Sequence, residues 1–104
     1  MLKVYGSKMC PDCQACKANF DYSKVDYEFI DVMESLKNLK DFLILRDTEP
    51  CFERLKKIHD IGLPGIVDED GTVFTDWEKY LQDKGMEPIE VNTGKACSLD
   101  HKGC

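Results

Sequence analysis

Apolar and polar positions alternate at the start of the chain, where Leu2, Val4, Tyr5 and Gly6 predict a strand over residues 2–6. The period then lengthens. Cys13, Cys16 and Phe20 recur at spacings of three and four, which predicts a helix from about Pro11 to Tyr22 with those side chains inward. Proline suits the first helical turn because the N–H it lacks would have no intrahelical partner there. A polar connection at 23–26 leads to a second strand carrying Tyr27, Phe29, Ile30 and Val32. Residues 34–48 read as a helix with Leu36, Leu39, Phe42 and Leu43 on its apolar side. Pro50 disfavours helix at Glu49, so a break falls near 47–49. The next helix turns Phe52, Leu55 and Ile58 inward, carries His59 as a packed or solvent-facing side chain, and ends at Gly62.

Residues 64–67 begin a third strand, Asp70-Gly71 marks a hairpin turn, and residues 72–74 return. Thr75 or Asp76 caps a last helix with Trp77, Tyr80 and Leu81 inward and Gly85 at its end. The order β-α-β-α(α)-β-β-α combines a parallel start with an antiparallel hairpin. It predicts an α/β fold with a four-stranded mixed sheet flanked by helices. Residues 85–104 lose this periodicity and read as a cysteine-containing tail appended to a domain spanning 1–84.

The chain has 104 residues, enough for one domain that buries a core without disulfide staples. Its net charge of −6 argues against nucleic acid or an anionic membrane as partner, and acidity of this size also serves solubility. No apolar run approaches the ~20 residues of a membrane span, and the N-terminus lacks the apolar core of a signal peptide. A cytoplasmic monomer is expected. In that compartment thiols stay reduced, so six cysteines point to catalysis or metal binding before structural disulfides.

Cys10-Pro11-Asp12-Cys13 carries the strongest chemical signal. The pair follows the first strand and opens the first helix, where unpaired backbone N–H groups and the helix dipole favour a thiolate. Cys10, at the exposed end, is the expected nucleophile, and Cys13, one turn on, the resolving thiol. Lys8 adds positive potential, while Asp12 opposes it and makes Cys10 less acidic. Cys16 extends the motif to C-x-x-C-x-x-C but points toward the core, and Cys51 reads as a partly buried or free thiol. Cys97, His101 and Cys104 form a compact set of soft ligands in the tail. A competing reading is therefore a zinc or iron–sulfur module using Cys10, Cys13, Cys16 and those tail residues.

With the order of elements in place, the chain resembles a glutaredoxin, a small thioredoxin-fold protein. The resemblance covers residues 1–84. It rests on Lys8-Met9-Cys10-Pro11-Asp12-Cys13 after the first strand, Ile61-Gly62-Leu63-Pro64 before the third, and the Asp70-Gly71 hairpin. It implies that Pro64 is a cis-proline facing the thiols and that the Leu63 backbone pairs with substrate in a strand-like manner. It also places Thr75 and Asp76 where the family holds the γ-glutamyl group of glutathione. The implied activity is reduction of protein or low-molecular-weight disulfides, with no bound cofactor, and with glutathione or a separate reductase restoring the dithiol. The chain departs from the family's usual pattern at Gly62-Leu63, at Asp12 where an aromatic is common, and at Val73-Phe74 where glycines are common.

Overall fold

The computed structural model describes residues 1–89. Its elements are β1 (Leu2–Gly6), α1 (Pro11–Tyr22), β2 (Tyr27–Asp31), α2 (Leu36–Thr48), a 3-10 turn (Pro50–Phe52) running into α3 (Glu53–Lys57), β3 (Gly65–Val67), β4 (Val73–Phe74) and α4 (Trp77–Asp83). The sheet has the order β2-β1-β3-β4. β1 pairs in parallel with β2 from Leu2↔Tyr27 to Gly6↔Asp31, and antiparallel with β3 through Val4↔Ile66. β3 and β4 form the expected hairpin, with Ile66 opposite Phe74 and Gly71 at φ 90° in its turn. This is the mixed, helix-flanked sheet anticipated from the pattern.

Two cores form. Leu2, Val4 and Ile66 pack with Cys16 and Phe20 of α1 and with Trp77 and Leu81 of α4. In the other, Phe42 of α2, Phe52, Leu55 and Val32 gather with Leu63 and both Cys10 and Cys13. The second core is aromatic at its centre. Phe42 and Phe52 meet edge to face at 5.8 Å, and Tyr5 lies 6.4 Å from Phe42.

Three details differ from the expected pattern. α2 begins after Ser35, whose hydroxyl accepts the Asn38 N–H, so Glu34 lies outside the helix. Its buried stripe is narrow and centred on Phe42, flanked by half-buried Leu39 and Leu45. At about 100° per residue, Leu36 and Leu43 lie about 120° and 100° round the helix from Phe42, and both are exposed, Leu36 at 84%. α3 stops at Lys57, well before Gly62. His59 takes the left-handed conformation (φ 61°) and Asp60 N–H returns to Leu55 O at 2.9 Å, closing the turn in the way glycine usually does. Ile58 is consequently exposed rather than packed. Gly62 has a separate role at φ 98°, where a Cβ would lie 2.9 Å from the Phe52 ring.

The end of α4 follows expectation, with Gly85 at φ 81°. Residues 86–89 stay attached to the domain. Met86 packs on the first core, and buried Asn19 of α1 both donates to Ile89 O and accepts from Ile89 N–H.

Candidate active site

The site is assembled at the carboxyl end of β1. Gly6 leads into Ser7, whose hydroxyl accepts the Met9 N–H and whose carbonyl accepts the Cys10 N–H at 3.2 Å. This turn delivers Cys10 in an extended conformation as the residue capping α1, with Pro11 at the first helical position. Gly6 matters for packing: a Cβ there would meet Cys13 Sγ at 2.9 Å and the Phe29 ring at 3.0 Å. The sulfur of Cys13 thus occupies space that only glycine leaves. Sequence reading places Gly6 at the end of the first strand and misses this contact.

Cys10 retains only 5% of its surface and Cys13 none, which corrects the expectation of an exposed nucleophile. Leu63 and the core aromatics cover the thiols from the side of the second core. Even so, the pKa of Cys10 is pushed down from the ordinary thiol range to about 7. The largest cause is the Cys13 thiol, which donates toward it. Burial works against the thiolate, the N–H groups of Cys13 and Asp12 favour it, and the Asp12 carboxylate opposes it weakly. Neither N–H closes a full capping bond to the side chain, so they act as dipoles aimed at the sulfur. Cys13 moves the opposite way, raised first by its interaction with Cys10 and then by burial, while the Ser7 N–H favours its thiolate. Cys16 is fully buried and raised chiefly by desolvation, which suits an inert core thiol. Cys51 is half-buried and also raised by burial.

Lys8 is exposed, and its carbonyl accepts Gln14 Nε2–H at 2.6 Å. Asp12 is more embedded than a surface charge. The Trp77 indole N–H donates to its Oδ1 at 3.3 Å, linking the start of α1 to α4. Burial raises its pKa, and the charges of Glu78, Asp60 and Asp76 push in the same direction.

The Leu63–Pro64 peptide is cis, as the resemblance implies, and both residues are buried. The loop before it is held by Arg46 of α2, which donates to Ile61 O at 2.8 Å and to Asp60 O at 2.9 Å. The Asp60 carboxylate in turn accepts the Gly62 N–H. Between this loop and α4 lies a cleft of about 340 Å³. It gathers Asp12, Leu63, Thr75 and Asp76 with Trp77, and adds Asp60, Arg54 and Glu78, which sequence reading does not find. Trp77 is legible as a core residue, but its bond to Asp12 has no signal in the chain. Asp76 caps α4 by accepting the Lys79 N–H at 3.1 Å.

Among the described residues no three His, Cys, Asp or Glu side chains converge as a metal site. Cys97, His101 and Cys104 lie outside the described residues, and so does any contribution they make to such a site. Also among the described residues, no helix is long and apolar enough to cross a membrane.

The family model described as Glutaredoxin matches residues 2–46, which span β1, α1, β2 and most of α2. An uncharacterized protein of Haemophilus influenzae is 34% identical over 76 residues, covering 73% of this chain and 88% of that protein. The chain belongs to the glutaredoxin family. A glutathione S-transferase from Xanthobacter autotrophicus superposes with a TM-score of 0.50 at 16% identity, over 88% of this chain and 40% of that one. A glutathione S-transferase from Drosophila melanogaster gives a TM-score of 0.48 at 20% identity, over 88% and 37%. This glutaredoxin-family chain therefore spans about two fifths of the transferase it superposes on, and that likeness shows the thioredoxin-type fold alone. Family and fold together support thiol redox chemistry.

Proposed function

We propose that this protein is a thiol–disulfide oxidoreductase in which Cys10 attacks and Cys13 resolves. The observation that carries the reading is the placement of Cys10 as the residue capping α1, with Cys13 one turn on and the cis Leu63–Pro64 peptide beside them in the same core; the lowered pKa of Cys10, about 7, agrees with it. Thiolate is the nucleophile in disulfide exchange, and a thiol whose pKa lies near ambient pH combines thiolate population with reactivity.

The Cys10 thiolate attacks one sulfur of a substrate disulfide. A Cys10–substrate disulfide forms, the substrate S–S bond breaks, and the other half leaves as a thiolate that takes a proton from water. Cys10 then no longer carries charge, so the main influence that raises Cys13 is gone. Cys13 gives its proton to solvent, replacing the one the first leaving thiolate took, and the Ser7 N–H stabilises the thiolate that forms. That thiolate attacks Cys10 Sγ, expels the second substrate thiolate and closes a Cys10–Cys13 disulfide. Two electrons have passed from the dithiol to the substrate. A low-molecular-weight thiol such as glutathione, or a reductase, returns them in a reducing compartment such as the cytoplasm. Leu63, Pro64, Thr75 and Asp76 present and hold the disulfide, Pro11 starts α1 with Cys10 as its cap, and the protein acts as a monomer without a resident cofactor.

Turnover of 2-hydroxyethyl disulfide with glutathione or thioredoxin reductase as electron source tests this. Wild type reduces the disulfide with one of them, and Cys10→Ser abolishes the activity while retaining the circular dichroism of wild type. Undiminished turnover by Cys10→Ser would remove Cys10 from the mechanism.

A further inference from the structure

The cleft between the Leu63 loop and α4 carries an uneven charge. Asp12, Asp60, Asp76 and Glu78 line it against a single guanidinium, that of Arg54. Among the described residues none of these four carboxylates is in an ion pair. Of the cations on neighbouring segments, Lys79 pairs with Asp83 and Lys56 with Glu53, and Arg46 spends its N–H groups on backbone carbonyls. Three of the carboxylates accept a neutral N–H instead: Asp12 from Trp77, Asp60 from Gly62 and Asp76 from Lys79. Those bonds orient the carboxylates but leave the negative charge uncompensated. The four also sense one another, since Asp60, Asp76 and Glu78 all oppose ionisation of Asp12. The cleft reaches the redox pair through Asp12, which stands between the cysteines, and through Leu63, which packs in the same core as both thiols.

We infer that the cleft selects cationic disulfides, whose arms carry an ammonium or guanidinium group near the S–S bond. The inference rests on the oxidoreductase reading above. A bound cation supplies the charge the four carboxylates lack and relieves their mutual repulsion. A carboxylate-bearing arm meets that repulsion directly. Oxidised glutathione, with two carboxylates and one ammonium in each half, is a poor match on this account. Clefts lined by one sign of charge raise the local concentration of the opposite ion, with effects on association of about 10-fold to 1,000-fold that fade with salt. Asp60 and Glu78 are specificity residues on this reading, because they line the cleft away from the thiols.

The test is the second-order rate at which the reduced protein reacts with three small disulfides: cystamine (dicationic), 2-hydroxyethyl disulfide (neutral) and 3,3′-dithiodipropionate (dianionic). Each rate is divided by that of the same disulfide with free 2-mercaptoethanol, which removes the leaving thiol's own acidity. The expected order is cation over neutral over anion, with at least about tenfold between the extremes at ~0.01 M salt. The spread should collapse toward ~1 M salt, where the screening length falls to ~3 Å. The double change Asp60→Asn with Glu78→Gln should narrow the spread at low salt. Two short disulfide-linked peptides, one flanked by lysines and one by glutamates, then distinguish a basic protein segment from a small amine as the source of the cation. An equal or anion-favouring profile in wild type, or a spread unmoved by salt, overturns the inference whether or not the double variant folds. Reduction of the neutral disulfide with no charge preference would sink the inference alone, whereas failure to react with all three disulfides would sink the oxidoreductase reading with it.

Discussion

At the scale of single residues, Cys10 is a buried thiol made acidic by its neighbours. Its 5% exposure alone would hold it neutral, and the Cys13 thiol with the first N–H groups of α1 reverses that. Its alkylation by iodoacetamide should therefore fall about tenfold for each pH unit below about 7 and level off above it. Asp12→Asn removes the charge opposing the thiolate while keeping an acceptor for the Trp77 indole. The variant's midpoint should move to lower pH, so that it reacts faster than wild type at pH 6. A midpoint shifted upward would show that Asp12 acts on Cys10 in some other way. The cysteines, their order and the cis-proline position are legible from the chain because local spacing and family motif encode them. The burial of Cys10 and the bond from Trp77 to Asp12 are not. Each depends on which distant segment covers α1, and sixty-five residues separate the last two partners.

The elements show the same division. β1, α1, β2, the β3–β4 hairpin and α4 sit where periodicity and caps put them, since each has a strong local signal such as Pro11, Gly71 or Asp76. Helices α2 and α3 were legible in existence but not in their buried faces. Leu36, Leu43 and Ile58 are as apolar as the side chains that pack, and only tertiary contact separates them from Phe42. The end of α3 depends on His59 accepting a left-handed conformation, which composition would assign to Gly62. Phe42 is the residue that fixes α2 to the sheet and to Phe52. Phe42→Ala should cost about 3–5 kcal/mol, a large share of the ~5–15 kcal/mol typical of a domain. Urea denaturation followed by tryptophan fluorescence measures it. A loss below ~1 kcal/mol would mean that the second core closes around the gap.

For the whole molecule, the sheet order β2-β1-β3-β4 explains why residues scattered along the chain meet. Central β1 ends at the thiols, and its antiparallel neighbour β3 begins beside them at Gly65, directly after Leu63 and Pro64. The hairpin then carries the chain across to α4, whose cap and first turn form the far wall of the cleft. The thiols therefore lie where a strand end, a helix start and the cis-proline loop converge. Phe74, at a position where the family commonly has glycine, turns onto Tyr80 with stacked rings at 5.3 Å and packs against the first core. The cleft's acidity agrees in sign with a chain of net charge −6, yet the arrangement is local: four carboxylates from three separate segments converge on a single cavity. Motif reading finds Asp12 and Asp76 but not the partners that the fold brings to them.

The central claim is that Cys10 attacks a disulfide and Cys13 completes the exchange. Its most direct measurement is the intact mass of the Cys13→Ser protein after exposure to 2-hydroxyethyl disulfide, with the modified residue mapped by peptide mass. The account predicts a stable single adduct of one 2-mercaptoethanol unit on Cys10. In wild type the same treatment should give instead an unadducted protein two hydrogens lighter, with Cys10 joined to Cys13. Absence of the adduct, or its appearance on Cys16, Cys51 or a cysteine of the tail, would contradict it.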